Sequence, residues 1–142
     1  MLAGDAVGTD RSDRTVHAPV LVQEVLTYLA PIPGGIYVDA TVGAGGHAAE
    51  ILTATAGQAT VIGLHVDDEI LAHARMRLAR WGPKVSLHRA SYVEMDEILD
   101  QLGIDRVDAI LFDFGVSSLQ LDSPERGFSF QREGPLDMRL DR

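Results

Sequence analysis

Two carboxylates and one glycine turn are the residues of this chain best equipped for chemistry. Asp39 closes a short apolar run over residues 36–38. It is followed by Gly43, Gly45, Gly46 and His47, all within the stretch GIYVDATVGAGGH. Glycines there remove the Cβ atoms that would hold a ligand away from the backbone, and the amides opening the next helix favour anionic or polar groups. The spacing is not the G-x-G-x-x-G of dinucleotide enzymes. An acid placed before the glycines suits a ligand with a cationic amine, such as S-adenosylmethionine, better than a pyrophosphate. The same turn can equally serve only to pack a helix close to a strand. Asp113 is the second acid, and it also ends an apolar run, VDAILF over residues 107–112. No metal-ligand spacing, nucleophile elbow or phosphate loop occurs, and the absence of cysteine excludes disulfides and thiolate metal sites.

The elements that must position these acids alternate along the chain. Residues 20–29 place Val22, Val25, Leu26 and Leu29 on one helical face, and Pro31, Pro33 and Gly34 stop that helix before the first strand. A short helix is expected over residues 47–55 and a second strand over 60–64. A helix then runs from Asp67 and Asp68 to Arg80, acidic at its start and basic at its end, as the helix dipole favours, with Ile70, Ala74 and Leu78 inward. A third strand over 85–88 and a helix over 93–102, with Met95, Ile98, Leu99 and Leu102 inward, precede a fourth strand over 107–112. Such alternation predicts an α/β fold, a parallel sheet with helices on both faces. Right-handed crossovers favour the Rossmann-type order 3-2-1-4. In that order Asp39 and Asp113 lie side by side at the carboxyl edge, where ligands of such sheets bind. The fourth strand, with Ile110, Leu111 and Phe112, reads as a fully buried central strand. Yet nothing after it looks like a strand to cover its far edge, and an exposed apolar edge invites pairing with another chain. Beyond it, residues 113–141 show little periodicity but are rich in Phe, Gly, Ser and Arg, which marks a functional segment more than a disordered one.

The 142 residues make about one domain, 46% hydrophobic and 23% charged. With 12 basic and 21 acidic side chains the net charge is −9, and Lys84 is the sole lysine. A free-standing nucleic-acid binder would need clustered cations. Arg106, Arg126, Arg132, Arg139 and Arg142 in the last 37 positions could form a contact surface or stand separately in solvent. No apolar run approaches the roughly 20 residues that span a membrane. Residues 1–16, polar and acidic, lack the order of a signal peptide and read as a disordered leader on a cytoplasmic protein.

Taken together, His17-Ala-Pro-Val-Leu, GIYVDATVGAGGH, AILFDFGVSSLQLD and PERGFSFQREGPLDMRLD resemble the bacterial methyltransferase family known as RsmH or MraW, from about residue 17 to the last. The resemblance implies a Rossmann-type fold dependent on S-adenosylmethionine. It implies methylation of the exocyclic N4 of a cytosine in 16S small-subunit ribosomal RNA, free or in the assembled subunit. It assigns the cofactor to Gly45, Gly46, His47, Tyr92, Asp113 and Gln120, beside the Asp39 and Gly43 of the turn, with Asp113 the first choice for the polar group near the reacting amine. For Tyr92 a core aromatic, and for His47 a simple helix-start residue, are the competing readings. Where the family holds the ribose hydroxyls with an acid at the end of strand 2, this chain has His65, with Asp67 two residues on. Family members are about twice as long, so residues 17–142 are expected to be a partial, truncated domain of about four strands, with a helical insertion and further strands absent. A non-catalytic cofactor-binding remnant is the alternative of a different class; a nicotinamide-dependent oxidoreductase fits the order of acid and glycines poorly.

Overall fold

A computed structural model describes residues 19–141. The leader expected over residues 1–16 lies outside them, as do the first two residues of the HAPVL motif. The described elements are α1 (Val22–Leu29), β1 (Ile36–Asp39), α2 (Gly46–Ala54), β2 (Thr60–His65), α3 (Asp68–Leu78), β3 (Val85–Arg89), α4 (Met95–Gln101), β4 (Ala109–Leu111) and α5 (Ser118–Asp122).

The four strands are parallel in the order β3-β2-β1-β4. Alternation along the central strands divides the core in two. Tyr37 and Val61 face one side with Ala48, Ile51, Leu52, Leu71, Ala74 and Leu78, so α2 and α3 cover that face and Leu26 and Leu29 of α1 pack at its margin. Val38, Ile62 and Leu64 face the other side, under Ile98, Met95 and Leu99 of α4. Right-handed connections require this arrangement. The crossovers from β1 to β2 and from β2 to β3 run the same way across the sheet, while that from β3 to β4 returns in the opposite direction.

Local chemistry sets the boundaries. Leu21, in the left-handed region at φ 53°, delays α1 to Val22 rather than residue 20. Asp67 caps α3: its Oδ1 accepts from the amides of Glu69 (3.0 Å) and Ile70 (3.4 Å). The helix expected over residues 93–102 begins as a single 3-10 turn at Tyr92–Glu94, closed by a reciprocal Ser91–Glu94 capping box. Its expected inward Leu102 is exposed, whereas Ile98 is buried.

The fourth strand is shorter and less buried than its apolar run implies, but its far edge is uncovered as expected. It is three residues long, and among the described residues it pairs only with β1. Ile110 is 37% and Phe112 43% exposed. Val107 packs in the core from the preceding loop, and Asp108 ties that loop to β1 by accepting the Ile36 amide at 2.7 Å. The aperiodic segment that follows contains α5 and a 3-10 turn at Pro124–Arg126. Among the described residues no helix is long and apolar enough to cross a membrane.

Candidate active site at the carboxyl edge of the sheet

A cavity of about 540 Å³ opens beyond the carboxyl ends of β1, β2 and β4. That is within the range of small-molecule sites. Its walls come from residues 40–44 and the start of α2, from 64–66 at the end of β2, from 90–92 after β3, and from 113–118 after β4. Gly43, Gly46, His47, His65, Tyr92 and Asp113 all line it; Asp39, Gly45 and Gln120 do not.

The acids occupy different surroundings. Asp39 is fully buried, and its Oδ1 accepts the Thr41 amide at 3.3 Å. Burial pushes its carboxyl up from 3.8 to about 7; the Thr41 hydrogen bond opposes this and the Asp113 charge adds to it. Asp113, about half exposed, donates its backbone N–H to Thr41 Oγ1 at 2.7 Å. Thr41 therefore clamps both acids, a role that sequence reading missed. His47 Nε2 lies 3.4 Å from Asp113 Oδ2, while its Nδ1 is buried without a partner among the described residues.

The glycines divide their duties. Gly45, at φ +81°, is the N-cap of α2, and a Cβ there would meet Leu78 Cδ1 at 3.0 Å, so this glycine lets α2 approach α3. Gly43 and Gly46 face the cavity, and no side chain caps α2, which leaves its first-turn amides for a ligand. Opposite them, Tyr92 is half exposed rather than in the core. Its ring meets Phe112 and Phe114 edge to face at 5.8 and 5.6 Å, and those two rings stack at 5.5 Å. Among the described residues the cavity lining thus carries one carboxylate, Asp113, together with the aromatic rings of Tyr92 and Phe114, a combination that fits a flat heterocycle carrying a cationic group.

Gln120 sits behind the wall. It is buried, its Oε1 accepts the Ser117 amide at 2.8 Å, and its Nε2 donates to Asp67 Oδ2 at 3.0 Å. Arg126 donates to the same Asp67 oxygen and, at 2.8 Å, to Glu69. Arg126 and Asp67 are 4% and 3% exposed. Burial alone would raise the Asp67 carboxyl, but the hydrogen bonds from Arg126 and Gln120 outweigh it and hold it below its ordinary range. The Ser117-x-x-Gln120 box was readable as a helix start; the pairing of residues 67 and 126 left no local signal.

Residues 14–142 match the sequence profile of the MraW methylase family. The chain belongs to that family. It is 51% identical over 140 residues to the ribosomal RNA small subunit methyltransferase H of Salinispora arenicola, a match covering 95% of this chain and 37% of that protein. The namesake of Oleidesulfovibrio alaskensis is 46% identical over 141 residues, 99% of this chain and 43% of that one. The chain therefore spans about two fifths of these relatives' length. Among solved structures, an rRNA methylase from Streptococcus thermophilus superposes with a TM-score of 0.55 at 21% identity, over 70% of this chain and 57% of that one. TrmN from Thermus thermophilus gives 0.51 at 26%, over 65% and 26%. These likenesses establish the Rossmann-like methyltransferase fold.

Proposed function

We propose that the cavity binds S-adenosylmethionine, and that this chain is part of a cytoplasmic enzyme methylating the exocyclic N4 of a cytosine in 16S ribosomal RNA. The observation that carries the reading is the coincidence of family membership with a cavity at the carboxyl edge of the sheet lined by Asp113, Tyr92 and Phe114. When bound, the cofactor supplies an electrophilic methyl group. The chain's own residues supply orientation and charge. A cytosine amine is a poor nucleophile because its lone pair is delocalised into the ring, so it must be aligned and must lose proton density as the new bond forms. Asp113 is the group to accept a hydrogen bond from that amine, with His47 fixing its carboxylate and Thr41 its backbone. Tyr92 supplies an aromatic wall for adenine, and Gly43 gives room for the methionine portion, while the bare Cα of Gly46 lets Pro19 pack against the start of α2. A base inside folded RNA must be unstacked to reach such a pocket.

The test has two parts. Calorimetry on the purified chain is expected to detect S-adenosylmethionine and no response to NAD. The purified chain alone is expected to transfer no labelled methyl to small subunits. In the longer enzyme of which it is part, transfer is expected to fall about 100-fold or more in Asp113→Asn, the range for losing a positioned proton acceptor. His65, standing where a ribose-binding acid was expected, favours one second reading, cofactor binding without transfer. Binding combined with no turnover in that longer wild-type enzyme would select it.

A further inference from the structure

All but one of the polar side chains at the carboxyl end of β2 are committed to the protein itself. Asp67 spends one carboxylate oxygen on the amides of Glu69 and Ile70, and the other on Gln120 and Arg126. It does not line the cavity, so it is not free to take a ligand's hydroxyl. Next to it, the carbonyl of Val66 accepts from Arg89 Nε at 3.3 Å. His65 remains, and its ring does line the cavity. The Asp67 amide donates to His65 Nδ1 at 3.0 Å. An amide can only donate, so Nδ1 must carry the lone pair, and the neutral ring holds its proton on Nε2. Among the described residues Nε2 has no protein partner, and it is not sealed in the interior.

We propose that His65 is a specificity-determining donor: its Nε2–H, fixed in that tautomer by the Asp67 backbone, recognises an acceptor oxygen on the sugar of a bound nucleoside. This rests on reading the cavity as the S-adenosylmethionine site. A carboxylate at this position would read the opposite polarity, since it accepts the sugar's O–H and rejects an oxygen that has no hydrogen to give. Replacing one ribose hydroxyl by its methyl ether removes the hydrogen but keeps the acceptor lone pairs. This chain therefore tolerates such an ether, and an acid at position 65 does not.

The ring tautomer is read first, by nitrogen–proton correlation spectra of the labelled 142-residue chain near neutral pH, with His65→Gln identifying the signals. The Nε2–H form is expected, and a predominant Nδ1–H form overturns the proposal. Calorimetry then compares S-adenosylmethionine with its 2′-O-methyl and 3′-O-methyl ethers on wild type, His65→Gln and His65→Asp. Each loss is taken within one chain, against that chain's own affinity for S-adenosylmethionine. The affinity lost on etherification is expected to be about tenfold greater in His65→Asp than in wild type for at least one ether, as follows from one hydrogen bond of about 1.4 kcal/mol. His65→Gln, which keeps a donor, is expected to follow wild type. Equal penalties in wild type and His65→Asp overturn this inference alone; failure of the wild type to bind S-adenosylmethionine overturns the cofactor reading and this inference with it.

Discussion

Asp39 carries the clearest titration at the scale of single residues. Its carboxyl stands near 7 in the folded chain because it is buried, against 3.8 in the open. The folded state therefore holds a proton that the unfolded chain gives up. The stability this confers is complete below about pH 4 and drains away as the pH rises to about 7, at up to about 1.4 kcal/mol per pH unit. Urea midpoints taken at pH 4.5, 6 and 7.5 are expected to fall more steeply in the wild type than in Asp39→Asn, which cannot ionise. Parallel curves would show that Asp39 is ionised throughout. The position of Asp39 was readable because it ends a strand before a glycine turn, and that of Asp113 because it ends another. Which of them is buried was not readable. That depends on Thr41 bridging the two strand ends and on the cavity leaving one carboxylate in contact with solvent.

Individual elements are held by caps and by one buried ion pair. Arg126 is expected to matter more than its distance from the cavity implies. Arg126→Met leaves Asp67 buried with only Gln120 and the helix amides, and removing one partner of a buried pair costs about 3–5 kcal/mol. The double variant Asp67→Asn/Arg126→Met should recover part of that loss, because no charge is then stranded. The exposed Glu69 end of the network contributes little. Chemical denaturation of Arg126→Met, Asp67→Asn and the double variant decides this, and additive losses would show that the pair is uncoupled. The helices α1, α2 and α3 followed from apolar spacing and from acids at the start of α3. The segment after β4 did not, since its order comes from one arginine reaching back 59 positions rather than from any repeat along the chain.

Across the whole molecule the acidic balance and the apolar edge work against each other. Net charge of −9 keeps copies apart, while β4 presents an edge without a neighbouring strand among the described residues. Ile110, Phe112 and Phe114 stand exposed beside it. Unpaired edges with apolar side chains recruit other strands. Sedimentation velocity is expected to show association that grows with protein concentration and with added salt, which screens the charge. Ile110→Lys should suppress it; an unchanged profile would place the contact elsewhere. Strand order and helix placement were legible from alternation and handedness alone. The uncovered far edge of β4 was legible too, since no strand pattern follows it. The exposure of Ile110 and Phe112 was not, because an apolar run of six residues looks the same whether one side or both sides of the strand are occupied.

The double use of Asp67 also sets a timetable. One of its oxygens is satisfied within its own turn, as soon as α3 forms. The other waits for Gln120 and Arg126, 53 and 59 residues further along. At the pace of translation, about 5–20 residues per second, the nascent chain carries that half-served carboxylate for about 3–12 s. During that time β1, β2 and β3 can already have assembled. The segment that finally relieves the acid also contains residues 113–118, which close one side of the cavity. The pocket thus cannot close before that segment has folded back onto Asp67.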